Sequence, residues 1–214
     1  MSMRQFEAVI FDLDGVIVDT AKFHYLGWKR LADELGIPFD QAKNERMKGV
    51  SRMESLRILL EGSAKAWGDP EVLADRKNAY YRVMVEKMTP SDVFPGVIEL
   101  LRKLRTMGIK VGVASSSRNA GAVIGKLGIA PLLDTVVGGN DCLRPKPAPD
   151  LFLLCAVRLE AAPQKCVVVE DAQAGIDAAK AAGMYAVGVG TPELLSGWDA
   201  LIAGTGDFSL DMLL

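Results

Sequence analysis

Hydrophobic residues fall into two kinds of run along this chain. In five short segments, Ala8–Phe11, Lys110–Ala114, Thr135–Val137, Cys166–Val169 and Tyr185–Val189, largely apolar and β-branched residues follow one another with little alternation. Strands buried on both faces read this way, because neither side of the pleat meets water. Between most of them apolar positions recur every three to four residues, which predicts helices. Val97, Leu100, Leu101 and Leu104 share one face over Val97–Met107, which Gly108 ends. Ala120–Leu127 stops at Gly128, Pro149–Leu159 follows, and Ala172–Ala182 stops at Gly183. Glycine just past the last turn is the expected helix stop. Strands alternating with helices imply parallel strands joined by right-handed crossovers. The expected fold is therefore α/β, a doubly wound parallel sheet with a Rossmann-like core.

One stretch interrupts the alternation. From about residue 19 to residue 88 the pattern is helical, with no convincing strand. A helix over Thr20–Leu35 ends at Gly36. Another starts at Ser51, where Ser51 and Glu54 match a capping box, and a third at Asp69–Pro70 with Asp69 as cap. An all-helical cap inserted after the first strand is expected, returning through "TPSDVFPG" (89–96). The expected division is 1–18 and 89–214 for the core, and 19–88 for the cap. Hinges are expected near Asp19–Thr20 and Ser91–Gly96.

Charge and composition narrow the partners. The 214 residues hold 25 Lys and Arg against 27 Asp and Glu, a net charge of −2. That balance offers no electrostatic footprint for nucleic acid or an anionic membrane surface. No run approaches the ~20 apolar residues of a membrane span. The first apolar segment is broken by Asp12 and Asp14, unlike a signal peptide. Three cysteines, Cys142, Cys155 and Cys166, are odd in number and lack CxxC spacing, which fits a reducing compartment better than a disulfide or zinc framework. A cytoplasmic monomer acting on a small molecule is expected.

Asp12 and Asp14 follow the first strand at its carboxyl end, the edge where open parallel sheets bind ligands. Alone, Asp14-Gly15 would read as a turn. The other strand ends change that reading. Ser115, Ser116 and Ser117 follow the second, Lys146 comes after the third, and Glu170-Asp171 follow the fourth. Two unit charges ~4 Å apart repel by roughly 4 kcal/mol at an effective dielectric near 20, so four carboxylates need a cation among them. Oxygen ligands point to Mg²⁺, which favours a few carboxylates plus substrate phosphate. Phosphoryl transfer follows from this set. Asp12 is the expected nucleophile, forming an aspartyl phosphate, with Lys146 opposite to balance charge. Asp14 is expected on the other side of the extended backbone, as general acid and base. Ser115 is expected to donate to the phosphate, with the amides of Ser116 and Ser117 adding an anion nest.

"DLDGVIVDT" (12–20), "ASSS" (114–117), "KPAPD" (146–150) and "EDAQAG" (170–175) resemble, in order, the four motifs of the haloacid dehalogenase superfamily. The resemblance spans nearly the whole chain. It implies Mg²⁺ held by Asp12, the backbone carbonyl of Asp14, Glu170 and Asp171, with Lys146 and Ser115 balancing charge at the transferring phosphoryl group. The dehalogenases that name the superfamily lack the second aspartate and need no metal, so Asp14 speaks against dehalogenation.

The cap decides the acceptor. Water would make a phosphatase; a second sugar phosphate would make a mutase, and that needs a second anion site. In "KGVSR" (48–52) a cation in a helix's first turn opposes the helix dipole, so Arg52 can be a phosphate ligand rather than a solvated residue. This segment, "TAKFHYLGW" (20–28), "DRKN" (75–78) and "RN" (118–119) resemble the β-phosphoglucomutase subgroup. The resemblance implies Gly49, Val50 and Arg52 on the sugar phosphate, and Ser117, Arg118 and Asn119 on the non-transferring phosphate. It also implies His24 and Lys77 coupling cap closure to Asp14, and Trp28 shaping the sugar pocket. Plainer readings stay open: packing for His24 and Trp28, solvation for Lys77, a helix start for Arg118 and Asn119. Three positions depart from the subgroup's expected pattern. Arg118 stands for Lys, Ser116 for a smaller residue, and Pro145 for Ser or similar. The expected activity is a mutase interconverting β-D-glucose 1-phosphate and glucose 6-phosphate through a sugar bisphosphate. A sugar phosphatase is the runner-up, and a non-catalytic phospho-ligand binder comes third.

Overall fold

The computed structural model describes residues 6–63, 65–141 and 144–213. Six parallel strands form one sheet in the order β3-β2-β1-β4-β5-β6. They are β1 (Ala8–Phe11), β2 (Lys110–Ala114), β3 (Thr135–Val137), β4 (Cys166–Glu170), β5 (Tyr185–Val189) and β6 (Ala200–Ile202). The helices are α1 (Ala21–Leu35), α2 (Gln41–Glu45), α3 (Arg52–Leu60), α4 (Pro70–Val85), α5 (Val97–Thr106), α6 (Ala120–Leu127), α7 (Asp150–Arg158) and α8 (Gln173–Ala181). The fold is a doubly wound parallel sheet with an inserted helical cap.

Side-chain alternation explains why the strands read as apolar throughout. Val9 and Phe11 of β1, with Val167 and Val169 of β4, bury into the layer that contains α5 and α6. Ala8, Ile10, Cys166 and Val168 bury into the opposite layer, with α7 and α8. β4 runs one residue past the expected end, so a carboxylate, Glu170, closes the strand. β6 was not expected. At three residues it is too short to carry a pattern, and Asp199 clips it to β5: its amide donates to Ala186 O at 2.8 Å, and its carboxylate accepts from the Ala186 amide at 2.7 Å.

The cap helices have an apolar cluster of their own, built on Trp28, Leu31, Leu56, Leu59 and Leu73. Tyr81 and Val85, at the far end of α4, pack instead into the sheet-side core. Ser51 caps α3 by accepting the Glu54 amide at 3.2 Å. The reciprocal half of the expected capping box is absent, because the Glu54 carboxylate turns to Arg57 at 2.7–3.1 Å. Asp69 caps α4 as expected, accepting the Glu71 amide at 2.9 Å. The five-residue α2, capped by Asp40, was not expected, being too short for a period. The two chain segments that enter and leave the cap are tied together: the Phe94 amide donates to Ile17 O at 2.9 Å, and Val18 bridges Val93.

Cys155 and Cys166 are buried, and Cys142 lies outside the described residues. Among the described residues no helix is long and apolar enough to cross a membrane.

Candidate active site

Sheet register brings the rim together. Phe11 pairs with Val113 of β2 and with Val169 of β4. The residues just beyond these pairs therefore emerge at one level: Asp12, then Ala114–Ser115, then Glu170–Asp171. Asp12 is pinned there by its amide, which donates to Val169 O at 2.9 Å. Lys146, from the segment after β3, lies under the rim with its side chain fully enclosed. Its ammonium donates to Asp12 Oδ1 at 2.5 Å, to Glu170 Oε2 at 2.7 Å and to Ala114 O at 3.4 Å. Burial works against that charge, but Asp12 and Glu170 hold the lysine protonated. The other Glu170 oxygen accepts the Ala172 amide at 3.1 Å.

One ammonium does not balance this rim. Burial, reinforced by Glu170 and Asp14 and opposed by Lys146, pushes Asp12 up to about 7. Burial, Glu170 and Asp12 push Asp171 well above the carboxylate range. Ligand oxygens of Asp12, Glu170 and Asp171 lie within 4.8 Å of one another. Three hard oxygen donors with unrelieved negative charge fit a divalent cation. Gly15 makes the cluster compatible with the turn. It has φ +89°, and a Cβ there would lie 2.1 Å from Asp171 Oδ2.

Asp14 does not lie across the backbone from Asp12, as the extended reading had it. The chain turns after Asp12, the Asp14 amide donates to Asp12 Oδ2 at 2.9 Å, and both carboxylates face one cleft. Three side chains converge on Asp14. Thr20 Oγ1 donates to its Oδ1, Ser115 Oγ donates to its Oδ2 at 3.1 Å, and His24 Nε2 lies 3.5 Å from Oδ1. Burial alone would raise its pKa, but His24, Thr20 and Ser115 bring it down to about 2. His24 Nδ1 meets Lys77 Nζ at 2.8 Å, so the network places the ring proton on Nε2, toward Asp14. Burial and the Lys77 cation lower the His24 pKa. Burial and Arg52 lower Lys77 to about 7.

The cleft between cap and core, counted with the solvent at its mouth, spans about 830 Å³. Asp12, Asp14, His24, Trp28, Gly49, Val50, Arg52, Lys77, Ser117, Arg118, Asn119 and Asp171 all line it. Three of the expected site residues do not: Ser115, Lys146 and Glu170 are buried behind the rim. The Ser115 hydroxyl is engaged on both sides, donating to Asp14 and accepting the Ser117 amide at 3.1 Å. That amide is therefore not an open anion donor in this structure. Lys77 is buried with its ammonium 4.8 Å from the Trp28 ring centroid and 5.0 Å from that of Tyr81. Arg52 is charged at a cost, from burial first and from Arg118 next, and pairs with Asp75 at 3.1 Å.

Sequence reasoning missed several contributors. Thr20 reads as a helix start, yet it makes no side-chain cap bond to α1 and its hydroxyl serves Asp14. Asn78 accepts from Asn119 Nδ2 at 2.8 Å, and Ser116 Oγ donates to Gly49 O at 2.7 Å. Asn44, Met47 and Ser55 complete the cap wall. Thr20, Asn78 and Ser116 lay within segments that had drawn attention, though their side-chain contacts had not. Asn44, Met47 and Ser55 had given no signal of their own.

Together, fold and site define a capped α/β protein whose sheet rim gathers carboxylates suited to a divalent metal. The chain belongs to the haloacid dehalogenase-like hydrolase family, which matches residues 6–183. It is 45% identical over 211 residues to Beta-phosphoglucomutase of Bacillus subtilis (strain 168), covering 97% of this chain and 93% of that one. It is 35% identical over 184 residues to the Phosphorylated carbohydrates phosphatase of Thermotoga maritima, covering 83% and 82%. The crystal structure of beta-Phosphoglucomutase from Clostridium difficile superposes with a TM-score of 0.91 at 40% identity, covering 97% of this chain and 95% of that one.

Proposed function

We propose that this protein is a phosphosugar mutase that interconverts β-D-glucose 1-phosphate and glucose 6-phosphate through an aspartyl phosphate and a sugar bisphosphate. One observation carries the reading. The same cleft has a carboxylate rim on its core side and two guanidiniums, Arg52 and Arg118, among its other lining groups. A monophosphate hydrolysed by water needs only the first feature; a bisphosphate turning over between half-reactions needs both.

Asp12 is the nucleophile, held in place by its amide bond to β4 and by Lys146. The bond from phosphorus to Asp12 breaks as a bond to the sugar hydroxyl oxygen forms, and the hydroxyl proton passes to Asp14. Against its burial, His24, Thr20 and Ser115 keep Asp14 ionised, so it has a lone pair free of a proton, while the same bonds make it a weak base. In the opposite half-reaction Asp14 returns that proton to the leaving sugar oxygen. Asp12, Glu170, Asp171 and the Asp14 carbonyl would hold the divalent metal, read as Mg²⁺ from the all-oxygen donor set. When bound, it neutralises charge between the attacking carboxylate and the phosphoryl oxygens. Arg52, Arg118, Ser117 and Asn119 grip the non-transferring phosphate, Gly49 and Val50 contact the sugar phosphate, and Trp28 walls the sugar. His24 and Lys77 link the cap to Asp14. We take residues 19–88 as the cap that closes over 1–18 and 89–214, excluding water while the aspartyl phosphate exists.

The test is direct. β-D-glucose 1-phosphate with Mg²⁺ and a trace of bisphosphate is expected to yield glucose 6-phosphate faster than inorganic phosphate. Inorganic phosphate as the main product would favour the sugar-phosphatase reading, which the 35% identical phosphatase relative keeps in view.

A further inference from the structure

A strap of the cap, residues 48–52, is clasped by two core loops. On one side Ser116 Oγ donates to the Gly49 carbonyl at 2.7 Å. On the other, Gly49 lies so close to the loop after β4 that a Cβ would sit 2.9 Å from Ala172 Cβ. Ser116 directly follows Ser115, which bonds Asp14, and Ala172 directly follows Asp171. The strap is thus fastened to the loops after β2 and β4, the two strands that flank β1, beyond which Asp12 and Asp14 stand.

The Ser116 clasp also stands where two cavities adjoin. Arg52, Ser116 and Arg118 line both the cleft and a second, adjoining hollow. Lys146 is among the residues around the second cavity, though its side chain is fully enclosed and its ammonium is bonded to Asp12.

We propose that the Ser116 hydroxyl is a positioning residue that sets how the phosphorylated enzyme divides between sugar and water. Its hydrogen bond to the Gly49 carbonyl holds the strap closed while the aspartyl phosphate awaits its acceptor. With the clasp open, a water oxygen attacks phosphorus and the bond to Asp12 breaks. A water proton passes to Asp14, and inorganic phosphate leaves. The proposal rests on the phosphoryl-transfer reading above, and adds a residue that touches neither the phosphoryl group nor the metal ligands through its side chain.

The experiment compares the full-length protein with Ser116→Ala and Ser116→Thr. Each is phosphorylated with acetyl phosphate and Mg²⁺ in the absence of sugar, and decay of the aspartyl phosphate is followed. Phosphate released per glucose 6-phosphate formed is then measured with β-D-glucose 1-phosphate. Ser116→Ala is expected to shorten the aspartyl-phosphate lifetime and raise phosphate release per turnover by about fivefold, the equilibrium weight of one ordinary hydrogen bond. Ser116→Thr, which keeps the hydroxyl, is expected to restore both. Hydrogen exchange at the amides of residues 48–51 is expected to quicken in Ser116→Ala alone, while β1 and β4 stay unchanged. Unchanged lifetime and partition in Ser116→Ala overturn the proposal, whatever the exchange shows. A protein that forms and loses the aspartyl phosphate but makes no glucose 6-phosphate sinks the mutase reading alone, and the lifetimes still judge Ser116. A protein that forms no aspartyl phosphate sinks both.

Discussion

The two ends of the cleft are built differently. At the core end Lys146, Asp12 and Glu170 are buried, with Lys146–carboxylate distances of 2.5 and 2.7 Å. Asp12 and Glu170 stand next to and at the ends of β1 and β4, and Lys146 reaches both from the segment after β3; β1 is paired on both sides. At the cap end Arg52 starts α3, Arg118 is exposed on a loop, and the carboxylate facing Arg52 belongs to Asp75, whose side chain is 71% exposed. Groups that make and break bonds gain from a fixed, low-dielectric setting, where each charge is strong and already oriented. Groups that recognise a remote phosphate must engage and release it. Arg52 sits on the cap, which has an apolar cluster of its own, while Arg118 sits on the core loop after β2.

The sharpest break of that contrast is Asp12→Ala. It removes the proposed nucleophile, and a loss of about 10⁴-fold or more is expected in sugar isomerisation and in aryl-phosphate hydrolysis alike. Activity retained in either assay would move the chemistry elsewhere. Next comes Lys146→Ala, which leaves Asp12 and Glu170 buried without their cation. A loss of about 3–5 kcal/mol is expected by urea unfolding in the presence of chelator, partly recovered on adding Mg²⁺. A loss below about 1 kcal/mol would mean the rim does not depend on Lys146 for its charge balance.

Among the described residues, Lys77 is the one charged side chain of the cap buried like the core groups. Its pKa falls from 10.5 to about 7, by burial first and by Arg52 next. Between those values the unfolded chain carries a proton that the folded protein lacks, so this group makes stability rise as pH climbs through the window. Relative to Lys77→Met, the parent is expected to gain stability from about pH 7 to about pH 10, by up to a few kcal/mol. Equal slopes in unfolding free energy against pH would show that Lys77 keeps its proton throughout.

Arg52→Ala separates the two ends directly. Loss of one charged phosphate contact is expected to cost about 10- to 100-fold in mutase turnover, with aryl-phosphate hydrolysis nearly unchanged. Equal losses in both assays would place Arg52 at the reacting end instead.

The same contrast governs what could be read from sequence. β1, β2, β4 and β5 and the four motifs were legible because a strand buried on both faces leaves an unbroken apolar run, and the polar residues that end it then stand out. Asp12, Ser115, Glu170 and Asp171 follow from that punctuation; Lys146, nine residues past β3, was legible from the "KPAPD" motif instead. β6 was not legible, since three residues held by one Asp199 clip leave no period. Nor was the hydrogen bonding of Thr20, which stands at a helix start but bonds a residue six positions earlier. Arg52 and Arg118 gave a local signal, a cation at a helix start and a polar break after β2. The Ser116–Gly49 and Asn119–Asn78 contacts join positions 67 and 41 residues apart, a pairing set by how the cap packs on the core.

The smallest expected effect tests whether the cap's looseness is functional. Asp75 Oδ1 lies 3.1 Å from the Arg52 guanidinium, whose side chain is only 13% exposed, while Asp75 itself is mostly in water. Arg118 adds a second cation that raises the cost of the Arg52 charge. Asp75 therefore offsets that repulsion while no phosphate is present, and competes with phosphate when one arrives. Asp75→Asn keeps an oxygen that accepts from the guanidinium but removes the charge. A solvent-exposed pair contributes little, so stability is expected to stay within about 0.5 kcal/mol of the parent. Affinity for the sugar phosphate is expected to rise by about two- to threefold at low salt, and the gain to shrink at high salt, where exposed charges are screened. Weaker binding in Asp75→Asn, insensitive to salt, would mean that Asp75 aims the guanidinium and does not compete for it. The cap end would then be as preset as the core end.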